Sequence, residues 1–220
     1  MSDLDEKEQW ERAKAMLGEL WIYIVGGVAI GGAVLWGWNW NKDRIEKRSI
    51  EASARYEEAL EAFTRNDKTR GYQLVDELNH EYSATPYAAL ATLIAARTQV
   101  EANELDKAAA GLKSVMDTAV DIELRSVARL RLARVQSAQG KYDDALATLK
   151  VEDAGEFAPR IADIRGDVLL AKGDRAGALR EYLAARTGDD KGQVDRELLD
   201  LKIRDLGGTP PKSLDDKTES

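Results

Sequence analysis

Twenty-two consecutive residues without a charge, Leu20 to Asn41, lie between Glu19 and Lys42, and no other feature constrains the chain so strongly. As a helix at about 1.5 Å per residue, the apolar part from Leu20 to Trp38 covers roughly 28 Å, close to the hydrocarbon thickness of a bilayer. Trp21 stands at one end of the run and Trp36, Trp38 and Trp40 at the other. Amphipathic indoles favour the headgroup level, where the ring is sheltered and the N–H stays wet. The run therefore predicts one membrane-spanning helix over 20–41, preceded by a short segment over 1–19. A cleaved export signal needs a basic start and a small-residue cleavage site. Here Asp3, Asp5, Glu6, Glu8, Glu11 and Glu19 outnumber Lys7, Arg12 and Lys14, and the run ends in tryptophans, so a retained anchor is expected.

The flanking charges bear on orientation. Lys42, Arg44, Lys47, Arg48 and Arg55 crowd the C-terminal side against three basic residues before the span. By itself the positive-inside tendency keeps the larger, C-terminal part in the cytoplasm, although long domains translocate with little regard to charge. That part is long enough for one domain with a true core. The net charge of the whole chain is −8, which repels phosphate backbones and argues against nucleic acid as a partner. With no cysteine, the chain has no disulfides, thiolate chemistry, cysteine metal sites or lipid-attachment cysteine.

Beyond the span, apolar residues recur at intervals of three and four, and no sustained alternation marks a strand. The pattern predicts helices over about 44–65, 69–82, 86–102, 105–118, 121–139, 142–150, 159–172, 175–186 and 193–206. Three short stretches align: Asn103-Glu104-Leu105-Asp106-Lys107-Ala108, Gly140-Lys141-Tyr142-Asp143-Asp144-Ala145 and Gly173-Asp174-Arg175-Ala176-Gly177-Ala178. Each begins with a residue suited to a left-handed helix stop and puts an alanine where two helices must approach closely. Small residues sit seven positions before each stop, at Ala96, Ala133 and Gly166, and larger ones follow at Leu112, Leu149 and Tyr182. The spacing is 37 residues, then 33, and a fainter copy begins at Asn66 with Gly71 and Val75.

Paired helices at this period resemble tetratricopeptide repeats, in which small residues let successive helices nest. The resemblance implies an all-α chain: a single N-terminal transmembrane helix, then a tetratricopeptide-repeat-like solenoid over 42–206 ending in a capping helix. Gly207-Gly208-Thr209-Pro210-Pro211 opens a segment, 207–220, whose composition reads as a disordered tail.

The acidic start, the Gly-rich span, the basic segment after it and Tyr82-Ser83-Ala84-Thr85-Pro86-Tyr87-Ala88-Ala89-Leu90-Ala91 together resemble the YfgM-like family of ancillary subunits of the bacterial SecYEG translocon. The resemblance implies a single-pass protein of the bacterial inner membrane with a cytoplasmic N-terminus and a periplasmic repeat domain, opposite to the local basic count. It implies as partners the translocon, the membrane lipid and a membrane-anchored periplasmic chaperone of the peptidyl-prolyl isomerase type (PpiD). The expected function is a non-enzymatic scaffold that recruits chaperones and assists exported proteins. The alternatives are a holdase that grips clients directly, and a cytoplasmic-facing scaffold if the basic count decides the topology.

No residues are expected to act catalytically or to hold a metal or cofactor, since His80 is the single histidine and has no cysteine to pair with. Paired acids such as Glu57-Glu58 and Asp143-Asp144 read as solvated faces or turns. Within the span, Gly27 and Gly31, with Ala29 and Ala33, place small residues on one face, where another helix can approach closely. Projecting the repeats inward puts Leu90, Leu93, Arg97, Val127, Leu130, Arg134 and Leu170 near a concave partner-binding surface. There Arg97 and Arg134, equivalent in the repeat, are placed to meet a carboxylate or backbone carbonyls, with the leucines as an apolar floor.

Overall fold

A left-handed residue punctuates the chain at Asn66 (φ 62°), Asn103 (58°), Gly140 (74°), Gly173 (96°) and Gly207 (80°). In the computed structural model, which describes residues 44–188 and 192–211 with the isolated positions Trp10, Val25, Gly31 and Lys42, each of these five residues closes a helix by one device. Its N–H donates to the carbonyl three residues back at 2.8–3.0 Å, and the next N–H donates to the carbonyl five back at 2.8–2.9 Å. The two bonds satisfy carbonyls that a helix end otherwise leaves open, and the left-handed turn reverses the chain in very few residues.

The chain divides into two compact units, Met1–Ile50 and Glu51–Ser220. In the first, residues 44–50 are helical. The span expected over 20–41 lies outside the described residues apart from Val25 and Gly31; among the described residues no helix is long and apolar enough to cross a membrane.

The second unit begins with helical residues 51–64, named α1. It continues with α2 (Lys68–Glu81), α3 (Pro86–Glu101), α4 (Leu105–Thr118), α5 (Ile122–Ala138), α6 (Tyr142–Thr148), α7 (Ala158–Lys172), α8 (Arg175–Gly188) and α9 (Arg196–Asp205). Only a short 3-10 turn, Gly155–Phe157, interrupts the sequence of α-helices among the described residues. Asp67, Asp121 and Asp195 start α2, α5 and α9 by accepting the backbone N–H of Arg70, Leu124 and Leu198. Pro86 and Pro159 stand in the first turns of α3 and α7, where a missing N–H costs nothing.

From α2 to α9 each helix packs on its neighbours in sequence, α5 also touches α3 and α7, and Ala52 of α1 joins Val75 of α2 and Ala88 of α3 in one core cluster. The odd-numbered helices thus form one layer and the even-numbered ones the other. Small residues set the approach: Ala59, Ala96 and Ala133 are buried in the odd layer, and Ala108, Ala145 and Ala178 in the even one. Val75, Leu112, Leu149 and Tyr182 fill the space behind them, all of them buried. Core clusters follow the stack, each joining successive helices, from Leu78 and Ala91 through Leu112 and Leu132 and then Leu149 and Ile164 to Tyr182 and Ile203.

Of the segment over 207–220, expected as a disordered tail, the described residues cover 207–211. Gly207 and Gly208 form the stop of α9, and a Cβ at Gly208 would meet Leu179 Cδ1 at 2.5 Å, so this corner is packed. Residues 212–220 lie outside the described residues.

Candidate partner-binding groove

Two adjoining cavities open on the odd-numbered layer. The first, about 410 Å³, has Ala96, Val100, Leu112 and Val135 as its apolar wall and Arg97, Glu101, Arg131 and Arg134 around it. The second, about 440 Å³, lies between α5 and the chain entering α9, lined by Val127, Leu130, Arg160, Asp163, Ile164 and Leu198 among others. Arg131 and Arg134 belong to both cavities, so they form the boundary between them.

Of the groove residues expected from sequence, Arg97 and Arg134 stand at the first cavity, and Val127, Leu130 and Arg134 at the second. Leu93 is a core residue, packed with Ala96, Leu112 and Leu132. Leu90 is half-buried and Leu170 exposed, and neither lines either cavity. Gly27, Ala29 and Ala33 lie outside the described residues; Gly31 is helical. His80 is exposed, its ring Nδ1 3.1 Å from the Asp76 carbonyl oxygen.

The two expected arginines differ in their attachments. Arg97 is paired along its own helix with Glu101 at 2.9 Å, an exposed contact of small energetic weight. Arg134 makes no ion pair among the described residues. Between them stands Arg131, which the repeat pattern does not reveal because its equivalent on α3 is Ile94. One signal was present: Arg131 lies three residues before Arg134, hence on the same helix face. Arg131 Nη1 reaches across to donate to the Leu93 carbonyl oxygen at 3.4 Å. Burial, with Arg97 and Arg134 adding like charge, depresses its affinity for its proton below that of a free guanidinium.

The far wall is held by polar bonds that bridge distant residues. Arg160 Nε donates to the Gln193 carbonyl oxygen at 2.8 Å, which fixes the approach to α9 against α7. Lys202 on α9 donates to Asp163 at 2.8 Å and Asp167 at 2.6 Å, and its ammonium lies 5.1 Å from the centre of the Tyr182 ring. The Tyr182 hydroxyl donates to the same Asp167 at 2.8 Å. Burial pulls the Lys202 ammonium down, but its bonds to the two aspartates outweigh that and hold its pKa above the ordinary lysine value. Burial and the Asp167 carboxylate push the Tyr182 phenol strongly upward. A near-buried pair, Arg186 with Asp200 at 2.8 Å, ties α9 to α8.

Stacked helical hairpins with recurrent left-handed stops, small-residue contacts and a groove along the first helix of each pair define a repeat protein of the tetratricopeptide type. The family model of the tetratricopeptide repeat-like domain matches residues 14–208. A protein of Escherichia coli (strain K12) named ancillary SecYEG translocon subunit is 34% identical over 203 residues, covering 92% of this chain and 97% of the relative. Its namesake in Aggregatibacter actinomycetemcomitans is 32% identical over 206 residues, covering 92% and 98%. One in Neisseria gonorrhoeae is 36% identical over 132 residues, covering 60% and 63%. The chain belongs to the family of ancillary SecYEG translocon subunits.

Proposed function

We propose that this chain serves the SecYEG translocon as a non-enzymatic scaffold, anchored in the bacterial inner membrane by residues 20–41, with its N-terminus cytoplasmic and its repeat domain periplasmic. There it recruits a membrane-anchored chaperone of the peptidyl-prolyl isomerase type and assists the handling of exported chains. The observation that carries this reading is the similarity to translocon subunits along 92% of the chain, which includes the uncharged run as well as the repeats. A tether works by raising local concentration, so individual contacts in the groove need only be weak. Gly27 with Gly31 gives the anchor one small-residue face on which a partner's membrane helix packs, and Ala29 with Ala33 gives a second on the opposite side.

In-cell crosslinking followed by purification in mild detergent is expected to recover translocon and chaperone subunits with the wild-type chain. Gly27→Leu combined with Gly31→Leu should reduce that recovery while the protein stays in the membrane. Recovery of neither partner overturns the scaffold reading, and a reporter at the C-terminus that is active only in the cytoplasm overturns the topology.

A further inference from the structure

We propose that the groove binds an internal, extended peptide segment in which an acidic side chain stands beside a large apolar one. The carboxylate sits on Arg131 and Arg134, and the apolar side chain enters the first cavity. The inference rests on the scaffold reading only for where such a segment comes from.

The charges favour an acidic occupant. Each carboxylate around the groove is already engaged: Glu101 by Arg97, Asp163 by Lys202, and Asp195 by the backbone N–H of Leu198. Arg131 and Arg134 have no carboxylate partner among the described residues. Arg131 is also partly desolvated and crowded by two like charges. Guanidinium groups brought together without a counter-charge repel one another, and a carboxylate between them relieves the repulsion and accepts bidentate hydrogen bonds. In a chain of net charge −8, the two cavities are lined by four arginines against three carboxylates, a local excess of positive charge that favours a partner of opposite sign.

The shape sets the rest of the recognition element. The first cavity, about 410 Å³ with walls from Ala96, Val100, Leu112 and Val135, falls in the size range of ligand pockets, about 300–1,000 Å³, and suits a bulky apolar side chain. The second cavity continues past the same arginines. A carboxylate held at their boundary therefore has groove on both sides of it, which fits the middle of a segment and not its terminus.

The test uses the full-length protein in detergent micelles at low salt and follows fluorescence anisotropy of the amidated peptide Gly-Ser-Phe-Asp-Phe-Ser-Gly, fluorescein-labelled at its N-terminus. The Asp peptide should bind about tenfold or more tighter than its Asn counterpart, the scale of a charge-assisted hydrogen-bonded pair. Arg131→Gln with Arg134→Gln should abolish that ratio. Arg134→Gln alone, a change at an exposed site that leaves the core intact, should reduce it. Equal binding of the Asp and Asn peptides overturns the proposal, as does a ratio that survives in the folded double variant. Tighter binding of the Asn peptide with a free C-terminus than of the amidated Asp peptide overturns the internal-segment assignment. Crosslinking to the translocon is measured in parallel. Peptide discrimination without translocon recovery would leave the groove proposal standing and remove the scaffold reading, and the converse result would do the reverse.

Discussion

Gly166 and Tyr182 show how a repeat changes residues while keeping its geometry. In the preceding pairs an alanine faces a leucine, Ala96 with Leu112 and Ala133 with Leu149, all buried. In the last pair the larger ring takes the space of the missing Cβ: one built at Gly166 would collide with Tyr182 Cε1 and Cδ1. Gly166→Ala should therefore lower unfolding free energy by about 1–3 kcal/mol, the usual cost of overpacking. Combining it with Tyr182→Leu re-creates the alanine–leucine pair. In a double-mutant cycle measured by urea denaturation the two changes should couple favourably, even though the hydroxyl bond to Asp167 is lost. Additive losses would show that the ring and the glycine are not packing partners.

The elements were legible from sequence to different depths. Helix stops at Asn103, Gly140 and Gly173 could be read because a left-handed turn leaves a local composition, and the structure puts positive φ at each. Gly207 was harder, since Gly-Gly-Thr-Pro-Pro has the composition of a tail; what makes it a stop is the packing of Gly208 against Leu179 and Ile203. The Lys202 cluster was not legible and Arg131 only through its place one turn before Arg134, because their contacts run across 39 and 38 residues with no repeated counterpart. The stops also carry a stability prediction. Asn103→Gly should be neutral or stabilising, whereas Gly140→Ala should cost about 1–2 kcal/mol by forcing a side chain into left-handed backbone.

The attachment of α9 is predicted to respond to alkali. Lys202 and Tyr182 both have folded pKa values raised above their ordinary ones. Their contribution is therefore fully present below the unfolded values, about 10.4 for lysine and 10 for tyrosine, and is lost as pH rises through the folded values. Stability followed from pH 8 to 11 should fall above about pH 10, and Lys202→Met should flatten that slope. The same variant leaves Asp163 and Asp167 without their cation and should cost about 1.5–3 kcal/mol at neutral pH. An unchanged alkaline slope in this variant would exclude Lys202 as a source of it.

At the scale of the whole repeat unit, each helix contacts near neighbours in sequence, so the effect of a local defect should fade along the stack. Ala133→Leu, at a fully buried approach of α5, is expected to lower the melting temperature. Hydrogen exchange should quicken most in α5, α6 and α7 and least in α1 and α2. Uniform loss of protection over the unit would show a cooperativity that the layered contacts do not supply.

The recurrent stops have a further consequence for biosynthesis. Each stop is closed by bonds to the carbonyls three and five residues back, and Lys202 on α9 reaches back only 39. A chain whose partners are so near in sequence has low contact order and need not wait for its far end. Each hairpin can condense as its residues emerge in order, so little apolar surface is exposed at any moment to proteases or to other nascent chains.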